Sequence, residues 1–326
     1  MKSLFFIFVS TLFFMANNAS TSAFKDQEEL DAMVVKYAFE GYGKVNAHWK
    51  MPGEGTGLSA YGTESIYWKP TANFLSLVVD YERCCGALPS VALTGFLESP
   101  TVADCRISMY AVMTYVLMKI LGEDTFNALI SEHEKTHKFL ISSASTPLLK
   151  FTELRNLQYL WKEKNVGLFG YIHNVAYYGV RHPHGVYPGE NVVITSLDEE
   201  GNPLYLGFPF DSPLSKTAIR SRLKDALEQE PFTLKTKETT AVRPERQKIY
   251  QEWMKSIDES YKKELDLVLE NFDHLFEIRQ SNSKQYACYL EPEAFPPGLK
   301  SLVGKMGEKL AYQFKLEKLK AFLAHK

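Results

Sequence analysis

The stretch Asp104-Cys105-Arg106-Ile107-Ser108-Met109-Tyr110-Ala111-Val112-Met113-Thr114-Tyr115-Val116-Leu117-Met118-Lys119-Ile120-Leu121-Gly122 decides the fold. Its apolar residues fall on every side of a helix rather than along one stripe. Such a helix has to be wrapped by other elements. Asp104 stands where a helix N-cap accepts from the first turn, and Gly122 stands where a helix commonly ends in a residue free to take positive φ. Residues 105–121 therefore read as a central, buried helix.

Working outward, residues 124–141 read as an amphipathic helix with Phe126, Leu129, Ile130, His133 and His137 on one stripe, and residues 151–163 as another helix. Upstream, Leu30, Met33, Val34, Tyr37 and Ala38 recur at helical spacing within 25–50. Residues 51–63 hold four glycines and Pro52, a loop composition, and Phe74–Val79 reads as a buried strand. Downstream the texture turns to strand: Tyr171–Val180, Asn191–Asp198 and Pro203–Phe210, with Glu199-Glu200-Gly201-Asn202 as a hairpin turn. Beyond about 215 the pattern is helical again. It includes a charged stretch at 245–280 and a tail, 299–326, of seven lysines and two glutamates among regularly spaced apolar residues. The expected class is α+β: a buried central helix packed on an antiparallel sheet, with an extra helical C-terminal region. The expected division is 1–23, 24–235 and 236–326.

Composition bounds the function. With 326 residues, 45% hydrophobic and 23% charged, the chain has ordinary globular values, which excludes wholesale disorder. A net charge of −2 excludes a globally basic nucleic-acid binder. Lys2 followed by the apolar run Leu4–Ala16 and then by small residues has the layout of a secretory signal peptide with cleavage near Ala23. The expected location is secreted or periplasmic, with no stable membrane span after cleavage. Export permits disulfides. Neighbouring Cys84 and Cys85 are poor partners for each other, and a bridge from one of them to Cys288 would leave Cys105 free.

Cys105 opens the central helix, where the partial positive charge of the N-terminus favours a thiolate. A thiol nucleophile needs a base, and the base needs an orienting group. His173, at the start of the 171–180 strand, can supply the first. If strands 173–180 and 191–198 pair about a centre near 185.5, facing residues sum to 371, and 173 + 198 = 371. Asp198 would then lie beside His173.

A cysteine capping a buried helix, then His173-Asn174-Val175-Ala176-Tyr177-Tyr178-Gly179, then Val193-Ile194-Thr195-Ser196-Leu197-Asp198, resembles the papain-like and transglutaminase-like cysteine hydrolase superfamily over about residues 100–210. The resemblance implies Cys105 as nucleophile, His173 as base and Asp198 as orienter. With the export read from residues 1–23, it implies an exported thiol hydrolase (peptidase or amidase) or acyl transferase, with a peptide or protein substrate and no cofactor. No Gly-Ser-Cys-Trp-like segment surrounds Cys105, and no glutamine shortly upstream completes an oxyanion hole.

Two other readings compete. His133-Glu134-Lys135-Thr136-His137 is a literal H-E-x-x-H string, which on a helix can hold zinc between two histidines, with the glutamate as base. Lys135 and Lys138 are foreign to the buried context of that motif. The last reading is a non-catalytic secreted binding protein. Arg181-His182-Pro183-His184 reads as a solvated loop.

Overall fold

The computed structural model describes residues 24–52, 61–73, 78–84, 86–141, 147–156, 163–175, 178, 182, 187–229, 265–266, 268–281 and 310–324. The proposed signal segment, Cys85, Cys288 and the segment 236–264 lie outside the described residues.

In chain order the elements are α1 (Gln27–His48), β1 (Trp49–Lys50), β2 (Gly62–Thr63), β3 (Trp68–Asn73), β4 (Val78–Arg83), α2 (Pro89–Leu97), β5 (Thr101–Val102), α3 (Cys105–Leu121), α4 (Glu123–Glu134), β6 (Leu140–Ile141), β7 (Thr152–Asn156), β8 (Phe169–His173), β9 (Gly189–Leu197), β10 (Pro203–Gly207), α5 (Lys216–Glu228), α6 (Phe272–Ser281), β11 (Leu310–Phe314) and α7 (Leu316–Ala324). The fold is α+β.

Helix α3 has the ends its sequence specifies. Asp104 Oδ1 accepts from the Ile107 N–H at 2.9 Å, and Gly122 takes φ 76°. Of its seventeen residues only Arg106 and Lys119 are not buried. Arg106 gives its guanidinium to Asp80 Oδ1 at 2.9 Å and to the Val79 carbonyl at 3.0 Å, which compensates for placing a cation beside a core.

The wrapping is a five-stranded sheet, β10-β9-β8-β11-β7, antiparallel at every pairing. On one face Phe169, Val193, Leu206, Tyr312 and Phe314 join α1 and α3 in one core. The Tyr110 and Tyr312 hydroxyls meet at 3.0 Å, so the polar ends of both rings are satisfied in the interior. On the other face Ile172, Val192, Ile194 and Tyr205 pack with Ile219, Leu223 and Leu227 of α5 and with Phe272 and Phe276 of α6. Helices thus cover both faces, which is why Val192, Val193 and Ile194 can all be buried.

Several expectations change. The helix read over 124–141 ends at Glu134, and residues 140–141 form β6, paired with β4. Residues 152–156, read as helix, form β7, because the backbone pairs with β11 more than 150 residues later. Long-range pairing overrides local propensity there. Residues 310–314, read as part of a helical tail, are β11, inserted between β8 and β7, and the helix resumes only at α7. The 181–184 segment does not read as a solvated loop at its second residue: His182 is buried, stacked 4.7 Å from the Tyr178 ring, with Nε2 at 3.2 Å from the Leu227 carbonyl. Its neighbours in that string lie outside the described residues.

Candidate active site

Cys105 is a free, buried thiol at the first position of α3, and β9 crosses its end. The Asn191 side-chain amide donates to Sγ at 3.0 Å, and the Asn191 backbone amide also bonds the sulfur. These donors and the helix end favour the thiolate, but they are outweighed. Burial pushes the Cys105 thiol up to about 12, with the Glu190 charge and then the Asp104 charge adding to the effect. The lowered thiol pKa expected from the helix position is therefore reversed in direction. A helix end is a weak partial charge, whereas desolvation and two carboxylates act together against a second negative charge.

Glu190 is the residue that sequence reasoning missed. It is fully buried, and burial raises its carboxyl to about 7 against the opposing effect of Arg222. Arg222 Nε donates to Oε1 at 3.0 Å, whereas Oε2 is buried with no hydrogen-bond partner. The Tyr42 hydroxyl, on α1, is likewise buried without a partner, and both Cys105 and Glu190 act on it electrostatically. The signal for Glu190 lay in its setting. It is one charged residue at the head of the run Val192-Val193-Ile194, in a strand whose first seven residues are all buried. A carboxylate placed there is desolvated unless a cation is brought to it.

The histidine and the acid are placed otherwise than the sequence suggested. In the β8–β9 ladder Tyr171 faces Asn191 and His173 faces Gly189, so facing residues sum to 362 and the pairing centre is 181. His173 ends its strand rather than opening it, and it lies two residues along from the Tyr171–Asn191 pair, about 7 Å of strand. It is buried, edge-on to the Tyr171 ring at 4.8 Å, and its backbone carbonyl accepts from Gln280 Nε2 at 2.6 Å. Strand β8 stops there because the Asn174 side chain turns the chain: its amide bonds the Tyr187 and Leu223 carbonyls at 3.1 and 2.9 Å, and its oxygen accepts from the Val175 N–H.

Asp198 is not opposite His173. It sits in the β9–β10 hairpin turn, where Oδ1 accepts from the Asn202 and Glu200 N–H groups at 2.7 and 3.0 Å. Those turn bonds, the Asn202 backbone first, hold its carboxyl below the usual range. A shift of the pairing centre by several residues carried it from the site to the far end of the hairpin.

In the H-E-x-x-H string the three side chains have the following partners. Helix α4 ends at Glu134, whose carboxylate takes the Arg83 guanidinium through both oxygens. The His133 and His137 rings stack at 4.9 Å, and His137 Nδ1 meets Thr136 Oγ1 at 2.7 Å. Among the described residues no group of three or more His, Cys, Asp or Glu side chains comes together as a metal site. No described helix is long and apolar enough to cross a membrane.

No protein-family model matches the sequence, and no curated protein matches it. Among solved structures the chain is similar to a transglutaminase from Geobacillus stearothermophilus without its C-terminal extension. The two share 15% identity and a TM-score of 0.44, over 61% of this chain and 83% of that one.

Proposed function

We propose that this protein is a thiol enzyme that acts on amide carbonyls, as a hydrolase or an acyl transferase, with Cys105 as nucleophile. One observation carries the reading: a buried free thiol stands at the first position of a helix, and the Asn191 side-chain amide donates to its sulfur at 3.0 Å.

In the first half-reaction Sγ attacks the carbonyl carbon. The Cys105 and Arg106 N–H groups at the head of α3, which have no intrahelical acceptor, take the developing oxyanion, the Ile107 N–H being held by Asp104. The S–C bond forms, the C–N bond breaks, and the S–H proton ends on the departing amine nitrogen. In the second half-reaction water or an amine attacks the thioester, the S–C bond breaks, and the attacking group's proton restores the thiol. Asn191 steadies the sulfur throughout. Asp198, held by its turn amides, has no part in this mechanism. The exported setting stays part of the proposal and rests on the layout of residues 1–23.

The test uses p-nitrophenyl acetate as an acyl probe. Native protein should acquire one acetyl group on Cys105, removable by hydroxylamine, and should turn over. Asn191→Ala, which removes the donor to the sulfur, should slow acylation, and Cys105→Ser should abolish the hydroxylamine-labile acetyl group. Acylation of surface groups with Cys105 untouched in folded protein would refute the reading.

A further inference from the structure

The thiol proton needs a carrier on its way to the amine, and the β8–β9 ladder limits where that carrier can stand. Facing residues of an antiparallel pair put their side chains on one face, and successive residues alternate between faces. Asn191 sends its side chain to Cys105 Sγ at 3.0 Å, so Tyr171, which faces it, and His173, which faces Gly189, lie on the Cys105 face. Phe169, on the same alternation, packs in the core that contains α3. The Tyr171 and His173 rings meet edge-on with centroids 4.8 Å apart. His173 is the diagonal neighbour of Asn191, a separation of about 7–8 Å that an aromatic side chain can span. Glu190, between Gly189 and Asn191, points the other way, to Arg222 of α5 at 3.0 Å.

What holds His173 in place comes from the C-terminal region. The ladder between β8 and β11 registers at Phe169–Tyr312, short of His173. In place of a strand, Gln280, buried on α6, meets His173 with both ends of its amide. Oε1 accepts from the His173 N–H at 3.3 Å, and Nε2 donates to the His173 carbonyl at 2.6 Å. That is the exchange two residues make in a hydrogen-bonded strand pair, made here by one planar side chain. An apolar residue at 280 could fill the same space but would leave a buried N–H and C=O without these bonds. Fixing both backbone groups fixes the direction of the Cα–Cβ bond, and the Tyr171 ring then limits where the imidazole can turn.

We propose that Gln280 is a positioning residue for the thiol chemistry: its amide stands in for a strand partner at His173 and so holds the imidazole on the Cys105 face as the carrier of the thiol proton. The inference rests on Cys105 as nucleophile and adds to that reading the carrier and the group that aims it. As Sγ attacks and the S–C bond forms, the imidazole takes the S–H proton. As the C–N bond breaks, the same proton passes to the departing amine nitrogen, and the imidazole is neutral again. In the second half-reaction it takes a proton from the attacking water or amine and returns it to the sulfur as the S–C bond breaks.

The test follows acetylation of Cys105 by p-nitrophenyl acetate at fixed pH, read as the mass of the Cys105 peptide against time and ester concentration. His173→Ala should slow the saturating rate by about 10²–10⁴-fold. Gln280→Met, close to glutamine in shape but without the amide, should slow it by about 10–10²-fold, with half-saturation at the native ester concentration. In the His173→Ala background the same change should alter the rate by less than about twofold, whereas a residue needed only for the fold would slow both backgrounds alike. If Gln280→Met does not fold, Gln280→Glu carries the test with a smaller loss, since it keeps the acceptor for the His173 N–H but, when ionised, not the donor to the carbonyl.

A native rate in folded Gln280→Met overturns the inference alone, and so does an equal loss with and without His173. A native rate in folded His173→Ala overturns it too, with Cys105 still the nucleophile if the acetyl group on it forms. Folded native protein whose Cys105 stays unacetylated overturns the thiol-enzyme reading along with it.

Discussion

At the scale of single residues the site is governed by desolvation. Cys105, Glu190 and Tyr42 are all buried, and in each burial is the largest influence on ionisation, raising it. The consequence for stability has a definite sign. A carboxyl whose folded value lies near 7 binds its proton more tightly in the folded than in the unfolded chain. Stability therefore falls as pH rises from the unfolded value through about 7. Glu190→Gln should then be nearly neutral at pH 5 and more stable than native at pH 8, by on the order of 2 kcal/mol, checked by urea denaturation at the two pH values. Equal differences at both would show that the burial cost is not electrostatic. Gly189 presents a packing constraint next to this residue. It takes φ 155°, and a Cβ there would lie 2.6 Å from Tyr171 Cε1. Gly189→Ala should cost about 1–3 kcal/mol and disturb the Tyr171–Asn191 pair beside Cys105. Asp198→Ala, by contrast, should leave Cys105 alkylation unchanged at every pH, since its partners are turn amides.

At the scale of elements, α3 is where sequence and structure agree most closely. Its cap, its span and its C-terminal glycine follow from local chemistry: a carboxylate at the N-cap, apolar residues all round, and a residue that accepts positive φ at the end. Asp104→Ala should cost about 0.5–2 kcal/mol in thermal or urea unfolding, through loss of the Ile107 N–H partner. The same change removes one of the two charges that raise the Cys105 thiol. Alkylation above pH 9 should therefore become faster even as the fold weakens. The β9–β10 hairpin was equally legible, because its turn residues and flanking apolar runs are contiguous. Strand register between β8 and β9 was not. Their connection runs from residue 174 to 188, and nothing in its composition states where pairing begins. Asn174 decides it with three hydrogen bonds, two of them to carbonyls distant from β8. Small displacements of a pairing centre exchange every facing residue, which is how Asp198 was drawn to a site that belongs to the opposite end of its strand.

At the scale of the whole molecule, the C-terminal segment completes the sheet that bears the site. Strand β11 pairs with both β7 and β8, Gln27 of α1 bonds the Phe314 carbonyl and the Leu316 N–H, and Phe314 and Leu319 are fully buried. Deleting residues 310–326 should expose these side chains and strip β8 of a partner strand. Burying one large apolar side chain contributes about 1.5–3 kcal/mol, so the loss of several at once should leave a protein that unfolds at much lower urea or fails to fold. A truncated protein with the native unfolding midpoint would contradict the sheet order. The amino-acid sequence determined what depends on neighbours along the chain: the buried helix with Cys105 at its head, the tight hairpin, and the α+β class. Tertiary structure decided what depends on chain segments that meet from far apart: a tail strand recruited into the central sheet, the register that separates His173 from Asp198, and the meetings of Cys105 with Asn191 and of Glu190 with Arg222. Local propensity is a property of a few adjacent residues, whereas the ionisation of a buried carboxylate is a property of whatever distant groups close around it.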